Sequence, residues 1–171
     1  MAKIGRRGSF TGWLTVHGTQ GHTAYPHLAD NPLSRLVRMM APLAEEQLDQ
    51  GSAHFPPTTV AIASIDTGNT VTNVIPAKAT ASFNIRFNDL QSADSIETWL
   101  RGLFDDVGGT YELTTACSSN AFVTEPGPLS EDLITAVEQV LGVKPELSTT
   151  GGTSDARFIR AHCPVIEFGG V

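Results

Sequence analysis

Cysteine, tyrosine and tryptophan occur only twice each in this 171-residue sequence, and it has neither a long apolar run nor a cluster of basic residues. Cys117 and Cys163 form no Cys-x-x-Cys pair and no disulfide framework, which excludes a disulfide-stapled scaffold and predicts two small buried side chains in a reducing compartment. No apolar stretch approaches the roughly 20 residues needed to cross a bilayer, and the basic start Met1–Arg7 has no apolar segment behind it. A soluble, cytoplasmic protein with no membrane partner is therefore expected. The 11 Lys and Arg residues are scattered, against 18 Asp and Glu and a net charge of -7, so the clustered cations that a nucleic-acid surface needs are missing. What is present, 40% hydrophobic and 17% charged residues, is globular composition with material for one core and part of a second.

Residues 9–19 are rich in β-branched and aromatic types and predict a strand, followed by a long loop over 18–31. Asp30-Asn31-Pro32 supplies a cap and an N1 proline for a helix with Leu33, Leu36, Val37, Met40, Leu43, Ala44 and Leu48 at helical spacing. That helix is expected to end near Gly51 and to bend or break at Pro42, which lacks a backbone donor. Thr58–Asp66 predicts a strand, and 77–88 alternates strictly, with Ala79, Ala81, Phe83, Ile85 and Phe87 on one face. A helix after Ser92, closed by Gly108-Gly109, and a strand from Tyr111 to about Ala116 complete the order βαββαβ. This is the ferredoxin-like, split-βαβ arrangement: an antiparallel sheet with two helices on one face and the other face free. Beyond it, Glu125-Pro126-Gly127-Pro128 reads as a linker to a helix over 132–141, a short strand at 146–148, a short helix at 156–160 and a strand at 164–168, pieces of a parallel α/β layer.

Two stretches suggest chemistry. Gly18 through His27 sets His22, Tyr25 and His27 in a glycine-punctuated loop, where a histidine can polarise a carbonyl or steady an oxyanion, although a solitary loop histidine also occurs without any such role. Gly151-Gly152-Thr153-Ser154-Asp155 runs into a short helix and either holds an anion or merely caps that helix. Arg6 and Arg86 suit carboxylate recognition, and each alone is equally a surface arginine. His17, His22 and His27 recur every five residues, which gives no ligand face, and no His-Glu-x-x-His, His-x-Asp or Gly-x-Ser-x-Gly string is present, so neither a metal site nor a serine triad is expected within the chain.

Several strings together resemble the succinyl-diaminopimelate desuccinylases, a family of co-catalytic zinc peptidases and deacylases. They are Gly5-Arg6-Arg7-Gly8-Ser9, Gly12-Trp13-Leu14, Gly18 through Pro32, Thr72-Asn73-Val74-Ile75-Pro76, Phe83 through Asn88 and Gly151 through Phe158. The resemblance implies a ferredoxin-like lid over 9–121 that forms a homodimer, preceded over 1–8 and followed over 122–171 by incomplete parts of an α/β zinc-hydrolase domain. It implies that His22 reaches the partner subunit's active site to stabilise an oxyanion, and that Asn73 also contributes across the dimer. Arg6, Ser9, Tyr25, Arg86, Gly152 and Thr153 then hold the carboxylates and backbone of a small dicarboxylate amide. The implied reaction is hydrolysis of N-succinyl-L,L-2,6-diaminopimelate with two zinc ions per subunit and a glutamate general base. The family's zinc ligands have no counterparts here, so this chain alone is expected to be inactive. Two alternatives stay open: a ferredoxin-like dimerisation or small-molecule-binding module without chemistry, and an acetylornithine deacetylase or related aminoacylase.

Overall fold

The computed structural model describes residues 1–169; Gly170 and Val171, the end of the expected 122–171 segment, lie outside the described residues. Two short strands, β1 (Ala2–Lys3) and β2 (Gly5–Arg6), lead into β3 (Gly8–His17). The expected loop holds a further strand, β4 (Gly21–His22), and a 3-10 turn at Pro26–Leu28. Then come α1 (Pro32–Glu45), β5 (Thr59–Asp66), β6 (Val74–Ile75), β7 (Lys78–Phe87), α2 (Ala93–Val107) and β8 (Tyr111–Ser119). The described chain finishes with β9 (Phe122–Val123), α3 (Pro128–Leu141), β10 (Leu147–Ser148), α4 (Ala156–Ile159) and β11 (Glu167–Phe168).

The four long strands form one antiparallel sheet in the order β5-β7-β3-β8, which is the ferredoxin-like topology that the sequence order predicts. The strict alternation of β7 is realised in full: Ala79, Ala81, Phe83, Ile85 and Phe87 are buried and pack with Phe10, Leu14 and Val16 of β3. Leu36, Met39, Met40 and Leu43 of α1 and Ile96, Leu100 and Phe104 of α2 cover the same face. Gly8 and Gly12 stand opposite Phe87 and Phe83 in the register, and each ring lies over its glycine. A Cβ on Gly12 would sit 2.3 Å from Phe83 Cζ, so the core closes only because β3 lacks side chains there.

Local signals explain the helix ends. Asn31 Oδ1 accepts from Leu33 N–H at 3.0 Å and Pro32 opens α1; Ser92 and Ser95 exchange side-chain and backbone hydrogen bonds at the start of α2. Contrary to expectation, α1 runs through Pro42 but stops at Glu45, leaving Leu48 and Gly51 outside it. The missing N–H of Pro42 costs the helix only one bond, close to its end. Helix α3 starts at Pro128 rather than at 132, because proline is preorganised for a first turn and Ser130 Oγ accepts from Gly127 N–H at 2.8 Å. The cysteines also depart from expectation: both are exposed, Cys117 at the bulged end of edge strand β8 and Cys163 just after α4. No helix among the described residues is long and apolar enough to cross a membrane.

The expected parallel layer is instead a mixed three-stranded sheet, β10-β1-β11, in which β1 is parallel to β10 and antiparallel to β11. Strand β2 pairs with β9, so the start of the chain is threaded into its last third. A loop between α1 and β5 also reaches that region: His54 C=O accepts from Thr149 Oγ1 at 2.5 Å, and His54 Nε2 lies 3.2 Å from Glu125. The loop is knotted by Asp49, whose carboxylate accepts from Gly51 N–H, Thr58 N–H and the Nδ2 of fully buried Asn88 at 2.6 Å. Burial by itself pushes the Asp49 carboxyl up, but the hydrogen bonds from Thr58, Gly51 and Asn88 outweigh it and hold the group below its ordinary value. A carboxyl depressed by folding stabilises above its unfolded value, about pH 4, and that contribution is lost as the pH falls through the lower folded value. Asp49→Ala is accordingly expected to cost about 2–4 kcal/mol at pH 7 by leaving several buried donors unpaired. In urea titrations, the gap to the wild type should narrow as the pH falls below about 4; a gap that stayed constant down to full protonation would show that the charge is not what holds the loop.

Candidate functional site

Alternation places Ser9, Thr11 and Trp13 of β3, and Asn84 and Arg86 of β7, on the face of the sheet that no helix covers. The register sets Ser119, Ser9, Arg86 and Thr59 side by side across all four strands. Asn84 Nδ2 braces the row, donating to Phe10 O at 3.1 Å and Thr11 Oγ1 at 2.9 Å, with Ser9 Oγ at 3.5 Å. Arg7 lies at the same end, its guanidinium 3.4 Å from Thr59 Oγ1. Burial first, and then the charge of Arg86, hold Arg7 below the ordinary arginine value, which still leaves it a cation at any physiological pH.

Arg6 belongs to a second cluster. Its Nε donates to Glu167 Oε2 at 2.8 Å and its Nη1 to Thr150 O at 3.3 Å, while Ser154 Oγ donates to the same Glu167 oxygen at 2.9 Å. Burial pushes the Glu167 carboxyl up, but the bonds from Arg6 and Ser154 draw it below its ordinary value. Gly151 has φ +106°, and a Cβ there would meet Arg6 Nη1 at 2.6 Å, so this position needs glycine on both counts. Arg6, Lys3, Thr150, Gly151 and Glu167 line a cleft of about 500 Å³, and the next residues, Gly152 and Thr153, are exposed and half-buried respectively. Arg6 is thus brought to the glycine loop, as a shared substrate site requires, but it is engaged by Glu167.

The third cluster is the histidine loop. Strand β4 pairs with β6, Thr23 N–H donates to Asn73 O at 3.0 Å, and Tyr25 stacks at a tilt with its ring 5.9 Å from that of His22. The loop base is pinned by Arg35, which donates to His17 O and pairs with Asp30. His22 Nδ1 accepts from Ala24 N–H at 3.0 Å, so in the neutral ring the proton resides on Nε2, which is left as a hydrogen-bond donor on an exposed side chain. His22, Tyr25 and Asn73 are thereby brought together.

The histidine loop stays apart from the Ser9–Arg86 row. Ser9 and His17 are eight residues apart on one extended strand, about 26 Å at 3.3 Å per residue, and β4 and β6 lie beyond the His17 end. His22 of one chain therefore stands far from Arg86 and Ser9 of the same chain. Among the described residues no group of three or more His, Cys, Asp or Glu side chains is placed to hold a metal ion. Arg7 and Asp49 carried no role in the sequence reading. The signal for Arg7 was its spacing of two from Ser9, the period of an extended chain, although β3 itself begins only at Gly8.

Residues 4–112 match the family model described as the peptidase dimerisation domain. Two curated relatives, both named succinyl-diaminopimelate desuccinylase, are 55% identical over 173 residues (Parvibaculum lavamentivorans) and 58% identical over 169 residues (Rhodospirillum centenum). In each case the match covers 99% of this chain but 44% of the relative, so the chain spans less than half the length of the relatives it matches. A tripeptidase from Staphylococcus aureus superposes with a TM-score of 0.78 at 17% identity, covering 96% of this chain and 44% of that one. Aminopeptidase PepT from Bacillus cereus gives 0.74 at 15% identity, with coverage of 95% and 43%. At these identities the two structures establish the shared fold.

Proposed function

The chain belongs to the peptidase dimerisation domain family, and from that premise we propose that it is the lid and part of the substrate pocket of a cytoplasmic enzyme that hydrolyses N-succinyl-L,L-2,6-diaminopimelate to succinate and L,L-diaminopimelate. The observation that carries this is the identity of 51% to 58%, over 98% to 99% of the chain, to relatives all named succinyl-diaminopimelate desuccinylase.

In this proposal the distance between His22 and Arg86 is bridged by a second copy of the chain, so that each active site takes His22 and Asn73 from the partner subunit. The Nε2–H of His22 donates to the oxyanion that forms when water adds to the succinyl carbonyl; such a donor gains strength as the charge develops. Ser9 and Arg86, with Arg6, Gly152 and Thr153, and with Tyr25 arriving beside His22 from the partner subunit, hold the substrate's carboxylates and backbone; a bidentate guanidinium is the natural partner for a carboxylate. Two zinc ions are assigned to the part of the relatives' length that this chain does not span.

The test is the succinate released from N-succinyl-L,L-diaminopimelate by the full-length enzyme, compared with acetate released from N-acetyl-L-ornithine. Preference for the succinyl compound, by about a hundredfold or more in kcat/KM, is expected of a site built to pair a second carboxylate. Faster cleavage of the acetyl compound would overturn the substrate assignment.

A further inference from the structure

The row Ser119, Ser9, Arg86 and Thr59 is bracketed by two arginines that have no role in the function proposed above. Arg7 flanks it beside Thr59 and Arg86, and Arg157 flanks it at the other end, where it shares a cavity of about 250 Å³ with Ser119 and Arg160. Among the described residues no carboxylate forms an ion pair with Arg7, Arg86 or Arg157, although this is an acidic chain with 18 Asp and Glu residues. Three polar atoms here, Arg7 Nε, Arg157 Nε and Ser119 Oγ, are shielded from solvent and meet no hydrogen-bond partner. Buried donors left unpaired, and guanidinium groups left to repel one another, are costs that folding normally avoids. They persist where a ligand of opposite charge supplies the missing partner.

We infer that Arg7 and Arg157, with the Ser119 hydroxyl, complete a carboxylate-binding strip along the helix-free face of the sheet and set the preference for a substrate with several carboxylates. The inference rests on the function proposed above: N-succinyl-diaminopimelate carries one carboxylate on its succinyl arm and two on its diaminopimelate backbone, three in all for Arg86 and for Arg6, which is already paired with Glu167. Arg7 adds a second guanidinium next to Arg86, and Arg157 offers its own together with a hydroxyl about one strand spacing beyond Ser9.

The test pairs enzyme variants with substrate variants. Full-length wild type, Arg7→Gln, Arg157→Gln and Arg157→Lys are each assayed on N-succinyl-L,L-diaminopimelate and on three analogues in which one carboxylate at a time is a carboxamide. Wild type is expected to lose about tenfold or more in KM on each analogue, as the loss of a charge-assisted hydrogen bond implies. Each Gln variant should raise KM about as much on the parent substrate but be indifferent to one particular carboxamide, with kcat little changed and Arg157→Lys in between. Variants that raise KM equally on all four compounds, or that leave KM alone, would overturn the strip. If wild type fails to cleave the parent substrate at all, it is the proposed function that falls. Circular dichroism of each variant separates loss of fold from loss of binding.

Discussion

A dimer of the full-length enzyme that combines one His22→Ala subunit with one Arg86→Ala subunit is expected to keep about half the wild-type activity, because one of its two sites stays intact. The His22→Ala homodimer should be down by about a hundredfold to a thousandfold in turnover, the usual cost of removing one oxyanion donor, and the Arg86→Ala homodimer by about tenfold or more in kcat/KM through loss of a charge-assisted carboxylate contact. The reason is geometric. His22 stands beyond the His17 end of β3, and Arg86 pairs with Ser9 near the other end, so an active site using both draws them from different chains. In the mixed dimer, the site with a native Arg86 receives a native His22 from its partner, and the other site lacks both. A mixed dimer as inactive as either homodimer would place His22 in its own subunit's site and overturn the exchange. Metal content should be the same in all of these proteins, since His22 Nδ1 accepts from Ala24 N–H and Nε2 then carries the proton, leaving no nitrogen lone pair free for a metal.

The largest expected effect on stability comes from Phe83→Ala. Phe83 is fully buried in the central strand β7 and its ring covers Gly12 of β3, so its removal leaves a cavity bordered by a backbone that cannot collapse into it. The expected cost is about 3–5 kcal/mol, the range for a buried phenylalanine, read as a shift in the urea midpoint. Trp13, larger still and on the neighbouring strand, faces away from the helices and is 47% exposed, so Trp13→Ala serves as the control and should cost far less. Equal losses for the two would mean that the helix-free face is as tightly packed as the core.

Much of the fold was legible because its signals are local. Alternation along 78–87, the Asn31-Pro32 start, the Ser92 cap and the Gly108 stop each depend on residues within a few positions of one another. The expectations that were corrected involve longer reach. Helix α1 gives out at Glu45 because the following segment is claimed by Asp49, whose partners Thr58 and Asn88 are distant in sequence. The cysteines were placed inside by their usual preference, but β8 is an edge strand, and Cys117 near its end is left exposed although it stands opposite the buried Phe10. Of the candidate site residues, Arg6 beside the glycine loop, Ser9 beside Arg86, and His22 beside Tyr25 and Asn73 were each gathered by the fold, yet the histidine group lies at the far end of β3 from Ser9 and Arg86.

By itself, then, the sequence determined the βαββαβ order, the buried face of each long strand and the helix that opens at Pro32, since periodicity and capping are set by neighbouring residues. Only the tertiary structure decided that β1 lies between β10 and β11, and that Arg6 meets Glu167 across the length of the chain. It alone aligned Ser119, Ser9, Arg86 and Thr59 in one row, and it alone set His22 some 26 Å of strand away from them. Strand register and long-range pairing arise from the packing of the whole core, where a slip of one residue would turn every side chain to the opposite face, and no local stretch carries that information.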